Sequence, residues 1–127
     1  MLSTKRRVKK ASFEKIMKEG VFVNTTSFYL RRLKREDNSP TLFGFVVPVK
    51  VKKTSVGRHL IKRKMSAAVE KFLPGIKLGL SIIIFAKNDV SKLPYVEIEK
   101  EILELLNKAQ TLIWKRVKDK VYSINDR

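Results

Sequence analysis

The sequence predicts an α+β domain with element order α-β-β-β-α-β-α, a mostly antiparallel sheet carrying helices. Two observations give this class. Three segments repeat apolar residues at helical spacing: one around Phe13, one between Ser55 and Phe72, and one from Pro94 onward. Between them lie short runs rich in β-branched and aromatic side chains, bounded by Gly, Pro, Asn, Asp or Ser. A chain of 127 residues suits one domain. Residues 1–127 are therefore read as a single domain, with a mobile basic tail over about residues 1–10.

Ser12 is read as the N-cap of a short first helix. Phe13, Ile16 and Met17 fall at i, i+3 and i+4, and Gly20 closes it. Residues 21–24 and 27–33 read as strands joined by Asn24-Thr25-Thr26. Strand alternation puts Tyr29, Arg31 and Leu33 on one face and Phe28, Leu30 and Arg32 on the other. Glu36-Asp37-Asn38-Ser39-Pro40 is a turn signal, and the apolar residues 42–47 read as a central strand.

Residues 55–72 read as a helix with Ile61, Met65, Ala68 and Phe72 in one stripe, stopped by Leu73-Pro74-Gly75. Residues 79–86 are a buried strand, followed by a turn at Asn88-Asp89. Pro94 opens the last helix, where its missing N–H costs nothing. Its core stripe is Ile98, Ile102, Leu105, Leu106, Ala109 and Leu112 or Ile113. Glu97, Glu99, Glu101 and Glu104 load its first half and Lys108, Lys115 and Arg116 its second, the order the helix dipole favours. Trp114 is expected near the end of this helix, capping the core, and Phe43, Phe45 and Phe85 are expected inside it.

Composition narrows the function. Cysteine is absent and His59 is the only histidine, which excludes disulfides, thiolate sites and His-rich metal sites. No apolar run approaches a membrane span, and no apolar stretch follows the N-terminal charges, so a cytoplasmic protein is expected. The formal net charge is +17. Residues 1–35 carry 11 basic and 2 acidic side chains and residues 36–73 carry 8 and 3, against 10 and 7 over residues 74–127. A front-loaded excess on so small a domain points to a polyanionic partner.

The richest segment is residues 50–64. It leaves a strand, forms a basic loop and enters a helix whose first N–H groups and dipole favour phosphate. Lys50, Lys52 and Lys53 supply loop cations. Arg58 and Lys62 stand one turn apart, and Arg63 and Lys64 widen the patch. His59 is a hydrogen-bond donor to phosphate or a 2′-hydroxyl rather than a general base. No acidic residue lies between Lys50 and Ala68, so intrahelical ion pairs do not account for the charge. Cations presented rigidly in this way suit a folded RNA.

These residues resemble the bacterial ribonuclease P protein family. That family typically has a Gly-Phe-Val-Val strand, a Lys-Lys-Val loop and Ala-Val-x-Arg-Asn-Arg-Ile-Lys-Arg opening a helix. Here stand Gly44-Phe45-Val46-Val47, then Lys50-Val51, then Ser55-Val56-Gly57-Arg58-His59-Leu60-Ile61-Lys62-Arg63. The family's Phe-x-x-Val-Phe-x-x-Gly helix is similar to Phe13-Glu14-Lys15-Ile16-Met17-Lys18-Glu19-Gly20. The resemblance covers about residues 5–113. This chain departs from the pattern at Val49 (for a lysine), His59 (for Asn), Leu60 (for Arg) and Met17 (for an aromatic). Leu60 cannot hold phosphate; Lys52, Lys53 and Lys64 are expected to compensate.

The resemblance implies a two-layer α/β sandwich like the second domain of ribosomal protein S5, with a left-handed βαβ crossover that most sheets avoid. It implies a protein subunit of a ribonucleoprotein endonuclease that matures tRNA 5′ ends, with no catalytic site of its own. The partner RNA would hold the Mg2+, none being bound by the protein alone. The expected partners are ribonuclease P RNA, through Lys50, Lys52, Lys53, Arg58, His59, Lys62, Arg63 and Lys64, and the precursor-tRNA 5′ leader. Motif matching places the leader cleft at Phe13, Met17, Tyr29 and Arg31. No membrane or small-molecule substrate is expected. The alternative is a ribosomal or other structured-RNA-binding protein with an S5-like fold and no role in cleavage. A stand-alone nuclease lacks a candidate site, since neither a nucleophile between paired carboxylates nor a metal cluster is visible.

Overall fold

The computed structural model describes residues 7–111, 114–117 and 120–123. Its elements are α1 (Lys10–Glu19), β1 (Val21–Asn24), β2 (Phe28–Lys34), β3 (Leu42–Val46), α2 (Ser55–Phe72), β4 (Leu80–Ala86), α3 (Tyr95–Lys108), β5 (Trp114–Val117) and β6 (Lys120–Ser123). The main sheet has the order β1-β2-β4-β3. β1–β2 and β2–β4 are antiparallel, whereas β3 runs parallel to β4, so α2 lies in the crossover between them.

The two faces of the sheet are buried differently. Phe28, Leu30, Phe43, Ile82 and Ile84 meet Ile61, Met65, Ala68 and Val69 of α2 and Ile98, Ile102, Leu105 and Leu106 of α3. This is the two-layer sandwich. α1 lies across the other face, where Ile16 is buried with Ile83 and Phe85 and is flanked by Val8, Phe13, Met17, Tyr29, Leu33 and Val46. Every residue of β4 is buried because helices cover both its faces.

Four expectations are corrected. First, α1 starts at Lys10 after a Lys9 N-cap that makes no side-chain cap, so Ser12 sits inside the first turn; its N–H donates to the Lys9 carbonyl at 3.0 Å. Second, β3 is an edge strand rather than a central one. It reads as apolar because Phe43 faces the main core while Val46 packs on the α1 face. Third, residues 7–10 are not a free tail. Arg7 bridges Phe43, the Val8 N–H donates to the Phe43 carbonyl at 2.9 Å, and Lys10 begins α1.

Fourth, the last helix ends at Lys108. Gln110 adopts φ 57°, and Thr111 donates to the Leu106 carbonyl from both N–H and Oγ1. Trp114, Lys115 and Arg116 therefore belong to a strand of a β5–β6 hairpin, with Trp114 opposite Ser123. The expected stripe positions Leu112 and Ile113 lie outside the described residues. Pro94 occupies the N-cap of α3.

Two connections are fastened by single side chains. One Glu101 carboxylate oxygen accepts from Thr25 Oγ1 at 2.9 Å and the Ser27 N–H at 2.8 Å, tying the β1–β2 turn to α3. Arg35 donates to the carbonyls of Ser39, Pro40 and Leu80 and to Ser81 Oγ, pinning the loop before β3. Ser39 and Arg35 hydrogen-bond the Asp37 carboxylate and bring its pKa down to about 2. Among the described residues, no helix is long and apolar enough to cross a membrane.

Candidate nucleic-acid interface

The basic segment is built by the turn that leaves β3. The Pro48 carbonyl accepts from the N–H groups of Val51 (2.9 Å) and Lys52 (3.2 Å), folding the loop back toward α2. Thr54 caps α2, its hydroxyl accepting from the Gly57 N–H at 3.1 Å. A Cβ at Gly57 would stand 2.7 Å from both Lys52 Cε and Thr54 Oγ1, so a larger residue would displace the Lys52 side chain and the Thr54 cap.

The eight expected RNA-binding side chains divide into two sets. Arg58 turns back and donates through Nη1 to the carbonyls of Lys52 (3.0 Å) and Lys53 (2.7 Å). Lys52 Nζ reaches Asp89 at 3.1 Å and Ser91 Oγ at 3.5 Å, and Lys64 Nζ donates to the Ser91 carbonyl at 3.1 Å. These three order the surface as much as they charge it. Lys50, Lys53, His59 and Arg63 project into solvent. Lys62 is half-buried and lines a hollow of about 200 Å³ with Arg7, Val8, Phe43 and Ser66. The Ser91 hydroxyl and N–H, with the Lys52 ammonium beside them, bring the Asp89 carboxyl down to about 2. Leu60, 51 % exposed, is an apolar position within this charged face.

The four expected cleft residues all lie on the α1 side of the sheet. Phe13 meets the Phe85 ring edge-on at 6.3 Å, and Tyr29 stacks flat on Phe85 at 4.4 Å and 6°. Met17 is half-buried beside them. Arg31 donates to the Gly20 carbonyl at 3.4 Å and places its guanidinium 5.1 Å over the Phe22 ring. Phe43 is buried and Phe45 packs against the main core, as expected. Phe85 is buried too, but on the α1 face, beside Ile16 and Ile83.

Phe22 is the residue that the sequence reading passed over. The hairpin register sets it opposite Arg31, which follows from alternation along residues 21–24 once the turn is fixed. The structure thus yields two separate polar-aromatic and basic surfaces. One is the loop and outer side of α2; the other is the α1 side of the sheet, where Phe13, Tyr29 and Phe85 pack ring against ring beside Met17 and Arg31. The second can take unpaired bases, and the first can take phosphates.

The sequence pattern of the Ribonuclease P family matches residues 1–110. The ribonuclease P protein component of Rippkaea orientalis is 31% identical, with 79% of this chain and 82% of that protein aligned. The Pseudanabaena sp. protein component is 30% identical over 88% of this chain and 97% of its own length. Among solved structures, the Staphylococcus aureus RNase P protein superposes with a TM-score of 0.76 at 23% identity, covering 84% of this chain and 97% of that one. The Thermotoga maritima RNase P protein gives 0.73 at 20% identity, covering 80% and 96%. The matched span takes in α1, the whole main sheet, the basic loop and α2, so this chain belongs to the ribonuclease P protein family.

Proposed function

We propose that this chain binds the catalytic RNA of ribonuclease P through the residue 50–64 loop and the outer side of α2. It holds the 5′ leader of precursor tRNA on the α1 side of the sheet. The observation that carries this reading is the basic loop itself, folded on itself and onto the start of α2 by Pro48, Thr54 and Arg58 and free of acidic side chains through Ala68. A loop whose backbone is already folded presents its cations to RNA without ordering that backbone on binding. Lys50, Lys53, Lys62 and Arg63 neutralise phosphates, and His59 donates a hydrogen bond. Arg58, Lys52 and Lys64 hold the loop in shape. On the other face Phe13, Met17 and Tyr29 receive leader bases, and Arg31 faces the leader phosphates.

In this reading the magnesium ions needed for cleavage are held by the RNA, and the protein acts in the cytoplasm. Its cations replace part of the ion atmosphere that folding and substrate binding otherwise draw from Mg2+. The test is cleavage of precursor tRNA by the cognate ribonuclease P RNA at low, near-physiological Mg2+, with and without this protein. Protein-dependent cleavage at the mature 5′ end is expected. Absence of stimulation, together with tight binding to another structured RNA, would overturn the reading in favour of a general RNA-binding role.

A further inference from the structure

Phe22 is a large aromatic side chain left 47 % exposed on β1, an edge strand of the main sheet. Its ring lies 5.4 Å from that of Tyr29, tilted by 43°, and Tyr29 in turn stacks on Phe85. The three rings step outward across β4, β2 and β1 on the face that α1 partly covers. The Arg31 guanidinium sits over the outermost ring, steadied by the Gly20 carbonyl. An aromatic face with a cation fixed against it offers a base one surface to stack on and its phosphate one charge to meet.

We propose that Phe22 and Arg31 form an outer subsite for one further unpaired RNA nucleotide, past the part of the cleft lined by Phe13, Met17 and Tyr29. The inference rests on the leader reading above and extends it to the β1 edge. The base stacks on the Phe22–Arg31 pair, and its phosphate faces Arg31. RNA fits this edge better than a second copy of the chain. Joining β1 to β1 would press together two molecules of net charge +17. Stacking on an aromatic tolerates any base, so the subsite counts nucleotides rather than reading sequence.

The experiment measures the affinity of the assembled holoenzyme for precursor tRNAs whose leaders lengthen one nucleotide at a time, at fixed salt. The wild-type protein gains affinity as the leader grows. Phe22→Ala loses about tenfold, confined to the increment at which the added nucleotide reaches β1, and Phe22→Trp restores it. A loss that is equal at every leader length, no loss at all, or a change only in self-association by sedimentation would each overturn the subsite. Tyr29→Ala, read over the same series, separates the two proposals. If leader length matters and Tyr29→Ala weakens it while Phe22→Ala does not, only the outer subsite fails. If leader length never matters for the wild type, the leader reading fails and the subsite with it.

Discussion

Arg58 directs its guanidinium at two carbonyls of its own loop rather than at solvent, which changes what a substitution there should do. Arg58→Lys keeps the charge but cannot span both acceptors. RNA affinity should fall about tenfold, with the salt dependence of binding nearly unchanged. Lys62→Ala should instead lower the slope of log affinity against log salt by about one. Binding titrations at several salt concentrations distinguish the two. Asp89 gives a second residue-scale test. Its carboxyl is held near 2, below the ordinary 3.8, by Ser91 and Lys52. A depressed carboxylate contributes stability above its unfolded pKa and loses it as pH falls through the folded value. The Lys52–Asp89 contact should therefore persist through pH 4 and break only near pH 2, visible as a late titration of the Asp89 carboxyl carbon by NMR. The sequence displayed every cation of this surface but not which ones turn inward. Lys52 and Asp89 are 37 positions apart, and nothing local announces their meeting.

Elements were legible where their ends carry local chemistry. Residues 55–72 were read to both boundaries from the apolar stripe and the Leu73-Pro74-Gly75 stop, and the structure adds Thr54 as the cap at the start. The last helix was overrun because Gln110 turns the chain with positive φ where no glycine marks the turn. Strand alternation placed Tyr29, Arg31 and Leu33 on one face, and motif matching set that face toward the first helix, but the parallel pairing of β3 with β4 depends on contacts across the fold that no local pattern encodes. Gly20 was read as a helix stop by conformational freedom, yet its φ is −71°. It is required for space: a Cβ would collide with the Ile16 carbonyl oxygen and stand 3.0 Å from that of Arg32. Gly20→Ala should cost about 1–3 kcal/mol, because both obstacles are backbone. Glu101→Ala should cost about 1–3 kcal/mol, since it strips the acceptor from the Thr25 hydroxyl and the Ser27 N–H. Urea unfolding midpoints check both.

At the scale of the whole molecule, one sheet keeps two surfaces of different chemistry apart. α2 and α3 close one face, and α1 packs across the other over Ile83 and Phe85. The charge and the basic motif made the first surface readable from the chain alone; the second needed the pairing register, which is why Phe22 escaped notice. The contact between the N-terminal segment and β3 also matters for keeping molecules separate. A strand edge with unmet hydrogen-bonding groups invites another chain to add on, and here the Val8 N–H occupies one such place at Phe43. Val8→Pro would remove that donor and uncover the carbonyl. In dilute buffer the net charge of +17 still drives such molecules apart. In concentrated salt that repulsion is screened within a few ångströms, and the altered protein should then cluster while the parent stays monomeric, a contrast that light scattering would record.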